Sequence, residues 1–415
     1  MQYECIKAKS LLSKKNIEAD SWFHINRSFN AYRGCEHGCV YCDGMAENYH
    51  VDNFLSHIRA KENAPSILRK ELKKEGFTSQ IELETETLWK FLDPEDAIRI
   101  SQKVPRKQVI GVCGGVSDGY QPAEKEYKIT RKLLEVLLDF GLPIFILTKS
   151  DLVLRDLDVI KKIHEQSFAN VLFTITLHDE EMRRIFEPRA SSTPERFDAL
   201  EETRKAGLYG GVMSTPIIPG IGDSYENMTS LAKNAKRVGA EFILFSGMTL
   251  KPGRQKEYFL NVIKRHYPEK LQLLEKIFSN NDRYGTPIYK HMPVHIALRG
   301  YKICKEVGIS DRTIRHKPPN EYDINNQVLD VLLDISYRSS TILGIPWKER
   351  KPIIELAKKI ERGVENLSVL YKDKEIGSRL LIDEETVELV EEIINTRKSS
   401  KLETLLDKAL EIPDI

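Results

Sequence analysis

The sequence predicts an α/β fold of parallel strands joined by crossover helices, with a helical extension at its C-terminal end. Three observations predict it. From about residue 20 to 280, short runs rich in Val, Ile and Phe alternate with amphipathic helical patterns, and such alternation implies parallel strands. Each apolar run is brief and bounded by turn residues, as strands are. After about residue 285 the alternation stops and the segment from Asn325 to Lys401 reads as helices. Six strand–helix units build either an open sheet or a partial (β/α)6 barrel, and periodicity alone fits both.

The predicted strands, in order, are WFHINRSF, QVIGVCGG, PIFILTKS, NVLFTITL, GGVMSTPII and EFILFSG. Between them, SILRKELKK follows a cysteine-bearing loop. EKEYKITRKLLEVLLDFG reads as one helix ending at Gly141, a C′ glycine. DLVLRDLDVIKKIHEQ comes next, then TPERFDALEETRKAG, for which Thr193 is the expected N-cap, with Pro194 in the first helical position and Glu195 adding a first-turn charge. SYENMTSLAKNAKRVG closes the series. Beyond it, DVLLDISYRSS, KERKPIIELAKKIERGVENL and ETVELVEEIINTRKSS are the clearest helices. The implied organisation is an N-terminal segment over 1–20, a core over 21–285 and a mostly helical extension over 286–415. The sequence carries no internal repeat and no low-complexity tract.

The bulk numbers bound the function. The chain has 415 residues, 41% hydrophobic and 30% charged, enough to bury a cofactor without disulfides. Its 63 basic and 62 acidic residues leave a net charge of +1, so no global field draws it to nucleic acid or anionic lipid. No apolar run of about 18 residues suggests a membrane span, and the opening MQYECIKAKS has no signal-peptide h-region. A cytoplasmic location is expected. Three of the six cysteines fall within eight residues, and in a reducing compartment such a cluster is a metal or iron–sulfur site more often than a disulfide framework.

That cluster is NAYRGCEHGCVYCDG, with Cys35, Cys39 and Cys42 spaced C-x3-C-x2-C. Three thiolates on one short loop reach three irons of a cubane and leave the fourth iron open to chelate a substrate or cofactor. Gly34, Gly38 and Gly44 permit crowded or left-handed backbone, and Tyr41 is placed to pack over a bound ligand. A zinc site wants four ligands; His37 is the candidate fourth, inside a cramped loop. Cys39 and Cys42 alone would make a C-x-x-C redox pair.

With an aromatic before the third cysteine, a strand before the loop and βα units after it, the motif resembles the radical S-adenosylmethionine superfamily over roughly residues 25 to 260. The ordered series YRGCEHGCVYC, SDGYQPAE, LTKSDLVLRDLDVI, FEPRASSTPERFDAL and PIIPGIGDS is similar to the spore photoproduct lyase-like group, and more to its wider branch than to the repair enzyme itself, which lacks the R-G-C-x-H-G-C wording. The resemblance implies a partial (β/α)6 barrel of the radical SAM type. It also implies a [4Fe–4S] cluster on Cys35, Cys39 and Cys42, and S-adenosylmethionine at the C-terminal strand ends, where active sites of parallel sheets lie. An external electron donor of flavodoxin or ferredoxin type would reduce the cluster, and cofactor cleavage would give a 5′-deoxyadenosyl radical that abstracts hydrogen from substrate.

Several residues become candidates for holding the cofactor. Lys149, after an apolar strand, would meet its carboxylate, with Ser150 beside it; the bland alternative is an exposed loop lysine. Ser117 and Asp118 would accept from its amine, or else make a turn with a helix cap. Thr174 and Thr176 share a strand face, and Thr176 is the better partner for the ribose hydroxyls, unless it is a β-favouring core residue. Glu187 and Arg189 of FEPRA face cofactor or substrate, or form a salt bridge within their loop. Tyr120, with Gln121 at the mouth of the site, is a candidate to stack on substrate or relay a hydrogen atom. The lyase carries a hydrogen-donor cysteine just before its T-S-D; Cys113 lies two residues farther back, which preserves the strand face but moves the thiol by about 6–7 Å. A buried small hydrophobe is its alternative role. Cys5 and Cys304 read as bystanders, and His291 with His295 as structural.

Three functional readings follow. The first is repair or modification of nucleic acid, with Lys251, Arg254 and Lys256 as candidate phosphate contacts. The second is radical modification of a peptide, protein or small metabolite. The third is a non-catalytic iron–sulfur protein serving structure or electron transfer, which a fourth protein ligand such as His37 would favour.

Overall fold

A computed structural model describes residues 1–14, 22–79, 108–112, 116–280, 282–288, 292–318, 322–362 and 365–413. Cys113 and His291 lie outside these described residues.

Six parallel strands form the central sheet in sequential order: β2 (Arg27–Phe29), β5 (Ile110–Val112), β6 (Ile144–Thr148), β7 (Ala169–Thr174), β8 (Tyr209–Ser214) and β9 (Phe242–Phe245). Each coincides with one of the six predicted runs, with β7 and β8 beginning one residue earlier. Strands in sequential order, each returned by a right-handed crossover, put their helices on one face and leave the other to line an interior. β2 and β9 are the unclosed edges, which makes the barrel partial.

Side-chain alternation defines the two faces. Ile144, Ile146, Val171, Phe173, Val212 and Ile243 point into the main core. There they meet the helices α3 (Ile129–Asp139), α4 (Leu157–Gln166), α6 (Thr193–Lys205), α7 (Tyr225–Arg237) and α10 (Met292–Val307). Phe145, Leu172, Met213, Phe242 and Leu244 point the opposite way and pack with Trp22, Phe23 and Tyr337. Thr174 and Thr176 therefore face the interior, since Phe173 and Ile175 belong to the helix-side core.

A second sheet stands beside β2. β1 (Gln2–Ile6) pairs parallel with β4 (His57–Lys61), and β3 (Tyr32–Arg33) pairs antiparallel with β4. The cysteine loop leaves β3 and is held between the two sheets, and α1 (Ala64–Lys74) follows β4.

Two local expectations need correction. The stretch after Glu124 is two helices, α2 (Glu124–Tyr127) and α3, broken at Lys128 in left-handed geometry (φ 51°). The buried Glu124 carboxylate explains the break: it accepts the backbone N–H of Thr130 at 3.0 Å and of Arg131 at 3.2 Å, capping α3 in place of a continuous helix. The N-cap of α6 is Ser192, one residue before the expected Thr193. Ser192 and Glu195 form a reciprocal capping box, while the Thr193 hydroxyl donates to the Leu177 carbonyl at 2.8 Å. Gly141, by contrast, follows α3 with φ 59° and its N–H on the Leu138 carbonyl.

A short helix, α5 (Glu180–Phe186), is inserted between β7 and α6, and after the barrel come α8 (Arg254–His266) and α9 (Pro268–Ile277). α10 packs on α7 and β9 and places Ile296, Ile303 and Cys304 in the main core. The later helices α11 (Asp323–Thr341), α12 (Trp347–Glu361), α13 (Leu367–Lys372), α14 (Ile376–Leu380), α15 (Glu384–Thr396) and α16 (Ser400–Glu411) share a separate core around Val328, Leu332, Leu356, Ile360, Leu367, Val390 and Ile393. Among the described residues no helix is long and apolar enough to cross a membrane.

Candidate active site

The cysteine loop is short, glycine-rich and without regular structure, so its shape must come from outside it. Gly34 has φ 85°, and a Cβ there would lie 2.6 Å from the His57 carbonyl oxygen of β4. Gly38 has φ 70°, and its Cβ would lie 2.7 Å from the Arg189 guanidinium. Both positions require glycine. Backbone hydrogen bonds fix the rest: Cys35 N–H to Phe54 O at 3.0 Å, Val40 N–H to Phe186 O at 2.8 Å and Arg189 N–H to His37 O at 3.1 Å. The Gln255 amide donates to the Tyr41 carbonyl at 2.9 Å.

So held, Cys35, Cys39 and Cys42 line one cavity of about 360 Å³ at the C-terminal ends of the strands. Tyr41, Ser117, Asp118, Thr148, Lys149 and Thr174 complete one side, and Thr215, Pro216, Gly247 and Thr249 the other. Burial pushes the Cys35 thiol up to about 12 and raises those of Cys39 and Cys42. In such an environment a bound cation, rather than solvent, has to take the place of the protons.

Asp118 is the central connector. Its carboxylate accepts from the Thr148 hydroxyl, the Tyr120 N–H and the Lys149 N–H, each at 2.8 Å. It also lies 3.1 Å from His37 Nε2, an ion-pair contact off the hydrogen-bond direction. Burial alone would raise its pKa; His37 and the converging donors outweigh that and hold it down to about 2. The other His37 nitrogen is 3.4 Å from the Arg189 carbonyl. The Ser117 hydroxyl donates to Gly34 O at 2.8 Å and accepts from the Gln121 amide at 3.1 Å. Asp118 and Ser117 thus tie the cysteine loop to β6 and line the cavity as well.

Lys149 follows β6, and its ammonium stands 5.7 Å from the centre of the Tyr41 ring. Among the described residues it has no ion-pair partner. Burial lowers its pKa, but the neighbouring Cys39 and Glu187 outweigh burial and the net shift is upward. Glu187 is fully buried. It accepts from the Tyr41 hydroxyl and from Thr176 Oγ1 at 3.3 Å, and pairs with the buried Arg196. Burial raises the Glu187 carboxyl, while Arg196, Lys149 and Tyr41 outweigh it and keep the group ionised. Arg189 reaches from the same FEPR segment to donate to the Glu36 carbonyl.

Of the predicted site residues, the structure gathers Cys35, Cys39, Tyr41, Cys42, Ser117, Asp118 and Lys149 on one cavity. Thr176, Glu187 and Arg189 stand behind its wall. Ser150 caps the turn after β6 through Leu152 N–H, and Tyr120 is buried in the main core. Sequence reasoning missed Thr148, Thr215, Gly247 and Thr249. Their only signal was position, at or just beyond strand ends. The proposed phosphate contacts have other partners: Lys251 pairs with Asp43, Arg254 with Glu47 at 3.5 Å, and Lys256 donates to Phe278 O at 2.7 Å.

A family model described as the radical SAM superfamily matches residues 29–232, the span holding the cysteine loop and strands β2 to β8. This chain carries a radical SAM domain. A radical SAM domain takes a [4Fe–4S] cluster and S-adenosylmethionine. The donor set fits: three thiols share one cavity, and among the described residues no three His, Cys, Asp or Glu side chains converge on a single-ion position. Three thiolates from one loop match three corners of a cubane, whereas a structural zinc takes four protein ligands.

The chain is 26% identical over 292 residues to an uncharacterized protein of Mycobacterium tuberculosis, covering 69% of this chain and 76% of that one. It is 27% identical over 272 residues to an uncharacterized protein of Methanocaldococcus jannaschii, covering 65% and 85%. A radical SAM Nalpha-GlyT isomerase of Pseudomonas phage M6 is 23% identical over 176 residues, covering 42% of this chain and 36% of the phage protein. Among solved structures, a spore photoproduct lyase complexed with dinucleoside spore photoproduct superposes with a TM-score of 0.43 at 17% identity, over 64% of this chain and 66% of that one. A likeness this distant carries no argument about substrate.

Proposed function

We propose that this chain is an enzyme that cleaves S-adenosylmethionine reductively and uses the product to abstract a hydrogen atom from a substrate, with nucleic acid the favoured class. One observation carries the reading: Cys35, Cys39 and Cys42 open onto the same cavity as Lys149, a cation with no ion-pair partner among the described residues. The three thiolates would hold the cluster. When bound, the cluster and cofactor supply one-electron cleavage of a carbon–sulfur bond and a carbon radical that removes hydrogen. An electron donor outside this chain supplies the electron.

The chain's own residues do the positioning. Lys149 would meet the cofactor carboxylate with a charge-assisted hydrogen bond. Asp118 and Ser117 line the same side of the cavity, where an ammonium would be received. Glu187, locked by Arg196, fixes the ring of Tyr41 through its hydroxyl and keeps the Lys149 ammonium charged. Nucleic acid is favoured by the motif series shared with the spore photoproduct lyase-like group.

The test is anaerobic reconstitution with iron and sulfide, reduction with dithionite, addition of S-adenosylmethionine and assay for 5′-deoxyadenosine. Wild type should make it, and Cys35→Ala, Cys39→Ala and Cys42→Ala should each lose at least about 1,000-fold, the level expected when a group essential to the chemistry is removed. Four bound irons without 5′-deoxyadenosine under any of several reductants would transfer the case to an electron-transfer role. Zinc without a cluster would overturn the reading altogether.

A further inference from the structure

A second cavity, of about 440 Å³, lies against the first. It is built by the small sheet. β1 and β4 are parallel with Ile6 opposite Lys61, so the residues following β1 arrive beside the end of β4. Lys7, Lys9 and Lys61 therefore share this cavity, and β3 adds Arg33. No Asp or Glu is among its described lining residues. None of the four cations has an ion-pair partner among the described residues. Among the described residues the Arg33 guanidinium donates to the His50 carbonyl at 2.7 Å and the Lys61 ammonium to the Asn30 carbonyl at 2.7 Å.

Lys7, Lys9 and Arg33 are exposed and screened by solvent, so the cost of gathering these charges falls on Lys61. Lys61 is half-buried at the end of β4. Burial, and after it the neighbouring Arg33 charge, lower its ammonium to about 8. Several partly buried cations elsewhere in the chain are given carboxylates: Arg27 has Glu75, Arg155 has Glu124 and Asp156, and Lys251 has Asp43. Four cations from three separate backbone segments, all left without one, match a dianion or a chain of anions better than a single carboxylate.

The cavity also adjoins the cofactor site. Val116 and Ser117 line both. Tyr49 lines the basic cavity and donates at 2.6 Å to Asp43, which lines the cofactor cavity.

We propose that this basic cavity binds a phosphate group carried by the substrate, anchoring it while its reacting carbon reaches the neighbouring cofactor. The proposal rests on the radical SAM reading for its catalytic meaning, but not for the binding itself. The phosphate would belong either to a nucleic-acid backbone or to a small phosphorylated molecule, and the test separates the two.

The full chain, before and after cluster reconstitution, is titrated with inorganic phosphate by calorimetry and with a fluorescein-labelled ten-nucleotide single-stranded DNA by anisotropy. Lys61→Met and Lys9→Met are the variants. Lys9 is exposed, so its replacement leaves the fold intact even if Lys61→Met does not, and Lys125→Met controls for loss of a distant charge. At least one probe should bind, with each cavity variant weakening it about tenfold against the control, as expected for loss of one phosphate contact. Binding of DNA identifies a nucleic-acid strand; binding of phosphate alone identifies a small phosphorylated substrate. If neither probe binds, or both cavity variants stay within about twofold of wild type, the proposal is wrong. Substrate-free 5′-deoxyadenosine formation is measured on the same samples. Its loss with phosphate binding intact would sink the catalytic reading alone; the reverse result would sink this site alone.

Discussion

The two walls of the cofactor cavity are built on opposite principles. The wall formed by the cysteine loop and the ends of β5 to β7 is charged and cross-linked. Asp118 joins His37 to β6, and Glu187 joins Tyr41 and Thr176 to Arg196. The wall at the ends of β8 and β9 presents Thr215, Pro216, Gly247 and Thr249, with no ionisable side chain among the described lining residues. Both walls hang from the same continuous sheet, so the difference lies in side chains rather than in backbone. Fixed charges held by many partners are what a site needs to orient a zwitterionic cofactor without reorganising around it. A small neutral wall suits an apolar or variable neighbour, which is the place left for substrate.

The largest effect should come from breaking the charged wall at its buried pair. Arg196 is fully buried, pairs with Glu187, and donates to Ser191 O at 2.8 Å and to Thr174 O at 2.5 Å. Arg196→Met strands the Glu187 carboxylate in the interior and should cost about 3–5 kcal/mol. A thermal or denaturant melt reads this directly. A melt indistinguishable from wild type would mean that Glu187 has another way to be satisfied, and the wall would not be the interlocked unit described above. Restoring neutrality with Arg196→Met and Glu187→Gln together should recover part of the loss, because the stranded charge is its main source.

Lys149→Met probes the same wall without dismantling it. The ammonium has no ion-pair partner among the described residues, so stability should change by no more than about 0.5–1 kcal/mol. Affinity of the cluster-loaded protein for S-adenosylmethionine should fall about 10- to 100-fold, the worth of one charge-assisted hydrogen bond. Unchanged affinity would remove Lys149 from the site.

How far these walls were legible in the sequence follows from the range of the interactions. The six sheet strands were readable because a strand buried on both faces is a continuous apolar run: Phe145 and Leu147 look inward while Ile144 and Ile146 look outward. The cysteine loop was readable because its ligands are local, within eight residues. The small sheet was not, since β1 is largely exposed and polar and β3 has only two residues. The break at Lys128 was hidden for a similar reason: its cause is the Glu124 carboxylate, and lysine carries no turn signal. FEPR and SDGYQ stood out as motifs, but whether they touch the cofactor or brace the cysteine loop depends on contacts such as Arg189 to Glu36 and Gln121 to Gly34, across 153 and 87 residues of sequence. Period and spacing carry no record of such distances.

The neutral wall yields the smallest expected effect and the sharpest discrimination. Thr249 is exposed at the cavity rim beyond β9. Thr249→Val keeps its shape and removes a hydroxyl, so stability should stay within about 0.5 kcal/mol. Substrate-free 5′-deoxyadenosine formation should stay within about twofold, because uniform cofactor binding is left untouched. If the two walls divide cofactor from substrate, the change appears only when substrate is present, as a shift in how tightly cofactor cleavage is coupled to product. If Thr249→Val instead weakens S-adenosylmethionine as much as Lys149→Met does, the cofactor lies across both walls. The neutral wall then holds no part of the substrate, and the side shared with the basic cavity, at Val116 and Ser117, is its whole approach.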